Sequence, residues 1–287
     1  MCQALLGSFA SEAQLLSVLR HPNTVSVYHY GDDETTGAVY LAMEYLPGAS
    51  LFNYIRDHGR MELTYAVSVL LQILASLEDA HEKGVVHRDL KPGNVMLMEK
   101  PGEPVQVKVL DFGLAKVFAP EALPLEQKMT ALTKAGEVVG TLHYMAPEQL
   151  RGDPLAATAD IYSAAVILFF MLAGRRPFEG KKNAQVLAAQ LTQPFPRLAI
   201  PESIQAVLDV ASAKDPTKRY QTASAFEQAL LAAIPQEERT VVSLRNPSLS
   251  HLKKETPSKQ SVLKERDTVS SEIPITSLQP RRFPKKE

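Results

Sequence analysis

Asp89, Lys91 and Asn94 stand within one six-residue stretch, and a second aspartate, Asp111, closes an apolar run further on. Each residue type has a chemistry. A carboxylate beside a hydroxyl can orient it and take its proton. A carboxylate and an amide oxygen are hard ligands of the kind Mg2+ takes. A lysine is a compact point charge suited to a phosphate. Together these types could serve phosphoryl transfer, which needs positioning and charge neutralisation more than covalent help. Taken singly they say little. An Asp before a Leu is most often a turn or cap residue, and Asp-Phe-Gly is a common tripeptide. Order and spacing carry the reading.

The stretch His87-Arg88-Asp89-Leu90-Lys91-Pro92-Gly93-Asn94 has the pattern H-R-D-L-x-x-x-N. Asp111-Phe112-Gly113 and Ala146-Pro147-Glu148 follow in that order. On these motifs the chain resembles a bacterial serine/threonine protein kinase related to the eukaryotic protein kinases. The resemblance implies that Asp89 is the base for the substrate hydroxyl and that Lys91 meets the transferred phosphate. It implies that Asn94 and Asp111 hold Mg2+, with ATP as donor and proteins as acceptors. Lys91 speaks for serine/threonine rather than tyrosine substrates. Thr141, in the substrate-docking stretch 140–148, would hydrogen-bond Asp89 and Lys91. Thr130 and Thr133 lie where such kinases carry activating phosphates, and Arg88 supplies the cation that such a phosphate would meet. Glu148 and Arg219 would form a buried structural ion pair. Asp160 would brace the catalytic loop.

The elements that must position these residues are legible as periodic runs. Residues 8–20 read as a helix, capped by Ser8, with Phe9, Leu16 and Leu19 roughly on one face. This run resembles the kinase helix C, with Glu12 as the partner of the nucleotide-binding lysine and Leu16 as a packing residue. Residues 25–30 and 38–45 are rich in β-branched and aromatic types and read as two strands. By resemblance Met43 is the gatekeeper, Glu44, Tyr45 and Leu46 are the hinge whose backbone meets adenine, and Met96 is the floor beneath it. Helices are expected over 50–58 and 64–83, then a hairpin from 95–97 and 105–110. Residues 160–173 form an apolar helix of about 14 residues, short of the roughly 20 that span a bilayer. Further helices are expected over 183–192, 203–213 and 224–234.

The implied fold is α+β and protein-kinase-like. It has a mainly helical large lobe over 47–234 and a partial small lobe over 1–46, made of helix C plus two strands. From residue 235 Ser, Thr, Pro and charge dominate, with 11 Lys and Arg against 7 Asp and Glu. A disordered basic tail is expected there, with no membrane helix in it. Across 287 residues the hydrophobic content is 45%, enough for a core, and the net charge of −1 argues against a general affinity for nucleic acid or acidic membranes. A single cysteine, Cys2, excludes an internal disulfide and fits a reducing cytoplasm. The first residues lack the basic start of a signal peptide, so a cytoplasmic location is expected.

Residues 1–8 contain no lysine and no Gly-x-Gly-x-x-Gly, and the first lysine is Lys83. The glycine-rich loop and the nucleotide-binding lysine of the family are therefore expected to be lacking. A hydrogen bond to a charged group contributes roughly 1.5–3 kcal/mol, so loss of that lysine alone would slow transfer roughly 10- to 150-fold. The alternative expectation is a non-catalytic, pseudokinase-like interaction or scaffold protein. Protein substrate, activating signal and oligomeric state are not encoded in any motif.

Overall fold

The computed structural model describes residues 19–33, 38–112, 142–178 and 183–245. Among them, β1 (Val27–Asp33) and β2 (Ala38–Met43) form an antiparallel pair, with a register shift between Val27 and His29. A second sheet has the order β3 (Ala49–Ser50), β4 (Val95–Met98), β5 (Gln106–Val109), and all its pairs are antiparallel. The described helices are α1 (Leu51–His58), α2 (Leu63–Glu82), α3 (Pro147–Arg151), α4 (Ala157–Ala173), α5 (Asn183–Thr192), α6 (Glu202–Ala211), α7 (Ala223–Ala233) and α8 (Gln236–Arg245).

The core is built around α4 and α2. Every residue of α4 from Thr158 to Leu172 is buried, which its near-continuous apolar sequence requires. Gly174 ends the helix at φ +68°, where a Cβ would approach the Arg60 backbone nitrogen to 3.3 Å. α2 is apolar and long enough to cross a membrane by length and composition, yet it lies mostly inside the protein. Its buried polar residues show why. Gln72 accepts from Val107 N–H (3.0 Å) and donates to Val105 O (3.0 Å). It also accepts from Asn23 Nδ2 (2.8 Å), and Ser76 Oγ meets Thr24 Oγ1 at 2.7 Å. The segment ahead of β1 is thus stitched to α2. It is also paired with β5 through Val25 N–H to Val109 O (3.0 Å) and Val109 N–H to Asn23 O (2.8 Å). These bonds satisfy buried groups that would otherwise cost about 1–3 kcal/mol each.

Two expected boundaries are corrected. The buried helix begins at Ala157 rather than at residue 160, so Asp160 sits in its first turn and its carboxylate is turned elsewhere. The tail does not start at residue 235, because α8 follows α7 directly. Val242 of α8 is fully buried, and Arg239 reaches back to Ala232 O (2.9 Å) and Ile234 O (3.0 Å). Composition averaged over the tail hid this ten-residue helix, since its few apolar positions are diluted by charge. Residues 246–287 lie outside the described residues.

Candidate active site

The loop of residues 87–94 lies between α2 and β4, and Asp160 holds its entry. Asp160 Oδ2 accepts from His87 N–H (2.8 Å), and Oδ1 accepts from Arg88 N–H (2.9 Å). His81, in the last turn of α2, places Nε2 2.8 Å from the same Oδ2. A carboxylate only accepts, so His81 is the donor. Asp160 is 1% exposed, and such charge-assisted bonds in a dry site are about twice as strong as neutral ones. They hold Arg88 at φ +66°, a left-handed conformation that a long side chain avoids. From the other side Gln149 of α3 donates to Arg88 O at 2.6 Å while accepting from Ala146 N–H at 2.9 Å. Leu90, 1% exposed, anchors the loop in the core.

On this braced backbone Lys91 Nζ lies 2.7 Å from Asp89 Oδ2. Asn94 Nδ2 donates to Asp89 O (3.0 Å) and lies 3.4 Å from Asp89 Oδ2. The amide nitrogen is therefore spent on Asp89, and the amide oxygen is left as an acceptor for a cation. Leu110 N–H donates to Asn94 O (2.8 Å), which ties Asn94 to the residue before Asp111. Asp111 also sits at positive φ, +57°. Burial pushes its carboxyl above the usual range, His87 pulls it down, Asp89 pushes it up again and Lys91 pulls it down. The Asp111 carboxylate, already disfavoured as a lone anion, and the Asn94 amide oxygen fit a hard divalent cation. Phe112, 1% exposed, packs its ring 4.6 Å from the fully buried His87 ring and so fixes the direction from which Asp111 is presented.

A small gap lined by Leu19, Val25, Leu41, Met43, Asp111 and Phe112 separates β2 from this centre. Met43 ends β2 and is partly exposed. Glu44 N–H donates to Ser26 O (2.9 Å), and its carboxylate accepts from Ser26 N–H and Lys108 Nζ, each at 2.7 Å. Burial works to raise that carboxyl, but the bonds from Lys108 and Ser26 outweigh it and hold it below the usual range. Lys108 also donates to Thr24 O (3.1 Å). Among the described residues, the Glu44 carbonyl and the Leu46 N–H have no partner. Gly48 then passes so close to β4 that a Cβ would meet Leu97 O at 2.2 Å. Met96 lies on β4, opposite Ser50 and Lys108.

Beyond the loop, Glu148 and Arg219 form a buried bidentate pair, at 2.6 and 2.8 Å. Arg219 spends its remaining donors on Ala213 O (2.7 Å), Thr158 O (2.8 Å) and Lys214 O (3.3 Å).

A loop base, a lysine and two cation ligands on this scaffold narrow the choice of family, and comparison decides it. The protein kinase domain matches residues 3–231. The chain belongs to the protein kinase family. The chain is 35% identical over 275 residues to the serine/threonine-protein kinase pkn3 of Myxococcus xanthus, covering 93% of this chain and 49% of that protein. It is 34% identical over 230 residues to the serine/threonine-protein kinase PrkC of Bacillus subtilis, covering 78% of this chain and 33% of that protein. The chain thus spans a third to a half of the length of these relatives. A crystal structure of the Mycobacterium tuberculosis PknI kinase domain, a point mutant, aligns with a TM-score of 0.57 at 20% identity. That match covers 80% of this chain and 79% of that one, and it shows the shared fold.

The fold brings Asp89, Lys91, Asn94 and Asp111 together, joins Asp160 to the backbone of the loop, and pairs Glu148 with Arg219. Arg88 is held between Asp160 and Gln149, and its Nε has no hydrogen-bond partner among the described residues. Glu12, Leu16, Thr130, Thr133 and Thr141 lie outside the described residues. Sequence reasoning missed His81, Gln149 and Lys108. No motif marks them, since each acts through a partner distant in sequence: His81 and Asp160 are 79 positions apart, and Gln149 and Arg88 are 61.

Proposed function

We propose that the chain is a serine/threonine protein kinase that moves the γ-phosphoryl group of ATP to Ser or Thr hydroxyls of protein substrates. The observation that carries this reading is the constellation of Asp89, Lys91 and Asn94 on a loop whose backbone Asp160 holds, with Asp111 tied to it through the Leu110 N–H bond to Asn94 O. Asp89 orients the acceptor hydroxyl and takes its proton on Oδ1, the oxygen that Lys91 does not hold. Lys91 keeps positive charge beside both the base and the phosphoryl group in transit. Asp111 and the Asn94 amide oxygen would hold Mg2+, which neutralises phosphate charge when bound. The Glu44 carbonyl and Leu46 N–H are the unspent backbone groups for an adenine edge, with Met43 and Met96 as apolar neighbours. Thr130 and Thr133 are sites of autophosphorylation in this reading, and the Arg88 guanidinium receives the phosphate.

The test is phosphate incorporation from radiolabelled ATP with Mg2+ into myelin basic protein, comparing the wild-type chain with Asp89→Asn. Loss of general-base catalysis lowers the rate by about 100- to 10,000-fold. Mass spectrometry of the same reaction locates phosphate on Thr130 or Thr133, and the double Ala variant loses the gain in rate. A folded chain whose incorporation does not depend on Asp89 refutes the reading. Such a chain is an interaction protein built on a kinase scaffold.

A further inference from the structure

The stretch that leads into α3 is held from below by a buried polar chain that plays no part in the chemistry at Asp89. Gln190 of α5, fully buried, donates through Nε2 to Leu142 O at 3.1 Å and makes a longer contact to Met145 O at 3.4 Å. Its Oε1 accepts from Tyr162 OH at 2.6 Å. Tyr162, on α4 and fully buried, accepts in turn from Lys214 Nζ at 2.9 Å. One proton arrangement satisfies the whole chain. Carbonyls only accept, so the Gln190 amide nitrogen faces them and its oxygen faces Tyr162. Tyr162 must then donate to that oxygen, which leaves its own lone pairs for Lys214.

Lys214 is unusually placed to end such a chain. Its Nζ lies 5.0 Å from the Tyr162 ring centroid and 5.3 Å from those of Phe178 and Phe195. Phe195 packs edge-on against Tyr162 and Phe178, which closes the box. No carboxylate pairs with Lys214 among the described residues. The nearby acid, Glu148, is taken by Arg219, whose guanidinium carbon lies 5.0 Å from the Tyr162 centroid. Burial first and Arg219 second bring the ammonium down to about 7, while the three ring faces favour the cation. The ammonium is thus kept in an apolar box, where its main polar partner is the Tyr162 hydroxyl.

We propose that Gln190 is a positioning residue for protein-substrate docking, oriented by Tyr162 and Lys214 so that it fixes the Leu142–Met145 backbone. The inference rests on the kinase reading above, in which residues 140–148 are the docking end of the segment. The relay joins α4, α5 and the loop after α6 to that one stretch of backbone. A small apolar cluster of Leu142, Leu150 and Leu187, with Met145 and Leu191 against it, packs the same stretch on α5. The cluster supplies adhesion without direction, and the hydrogen bonds supply the direction.

The decisive variant is Tyr162→Phe, which keeps the ring and deletes one hydroxyl. KM for myelin basic protein should rise about tenfold, the equivalent of one buried hydrogen bond. KM for ATP and kcat should stay within about twofold. Amide exchange at residues 142–146 should quicken by about tenfold. Lys214→Met should act in the same direction, and Lys214→Arg should restore docking by keeping a charged donor. Equal changes in kcat and both KM values, or unchanged exchange in Tyr162→Phe, would overturn the proposal. If the wild-type chain turns over no ATP, the kinase reading fails by itself. The relay is then judged by amide exchange and by anisotropy of labelled myelin basic protein, and unaltered exchange and affinity in Tyr162→Phe overturn it.

Discussion

Replacing Asp160 by Asn changes one atom, and the structure allows the consequence to be worked out. The two carboxylate oxygens receive three donors: Oδ1 from Arg88 N–H, and Oδ2 from His87 N–H and His81 Nε2. An Asn side chain offers one acceptor oxygen and two N–H donors. Its best orientation keeps the oxygen under His87 and His81 and turns the amide nitrogen onto the Arg88 N–H, donor against donor. One charge-assisted bond is lost, at roughly 1.5–3 kcal/mol, and a buried N–H is orphaned at about 1–3 kcal/mol. Removing a buried charge returns part of this. The net loss is about 2–4 kcal/mol, a large share of the 5–15 kcal/mol that holds a domain folded. Arg88, no longer held at φ +66°, relaxes toward an ordinary conformation and carries Asp89 with it. Urea unfolding measures the global loss. Amide exchange by NMR measures the local one, and the Arg88 amide should exchange about 30- to 1,000-fold faster. A stability loss below about 0.5 kcal/mol with unchanged Arg88 exchange would refute the view that Asp160 holds the loop. Phosphotransfer should fall as well, by about 100-fold for an ångström of displacement at Asp89.

The Glu148–Arg219 pair is fully desolvated, so Glu148→Gln or Arg219→Met alone should each cost about 3–5 kcal/mol in urea unfolding. The double variant should cost less than their sum by about 0.5–3 kcal/mol, and strict additivity would show that the pair is not coupled. Asp111→Asn should stabilise the protein at neutral pH while ending any stabilisation by Mg2+, both read as shifts in Tm. Folding raises the Asp111 carboxyl, chiefly by burial, so the ionised form is the one the fold disfavours. The penalty is absent below the unfolded carboxyl pKa and grows as pH rises through the folded value. The gain in Asp111→Asn should therefore be present at pH 7 and shrink toward pH 4. An equal gain at both would assign it to another cause.

Much of this organisation was legible beforehand. The continuous apolar run of α4, the helical spacing of α2 and the β-branched and aromatic residues of β1 and β2 are local signals, and such signals survive into the tertiary structure because they decide what is buried. The boundaries moved by a few residues where an end depends on a cap or on a partner. Ser50 caps α1 instead of belonging to it, and α4 starts a turn early because Asp160 serves the loop rather than its own helix. α8 went unseen because a short amphipathic stretch has no local signal strong enough to stand out from a charged tail. Its burial comes from packing onto a helix about 170 positions earlier.

The sequence alone determined the chemistry on offer: a base, a lysine and an amide ligand closely spaced along one loop, and a carboxylate ligand just past β5. Spacing along a loop is a covalent property and can be read directly. Only the tertiary structure decided what holds that loop in a catalytically useful shape. His81 acts across space on the Asp160 carboxylate, and Gln149 and the relay from Lys214 to Gln190 act on backbone groups, at positions no local pattern records. A buried donor or acceptor must find a partner wherever the fold places one, so the bracing residues are chosen by geometry rather than by motif.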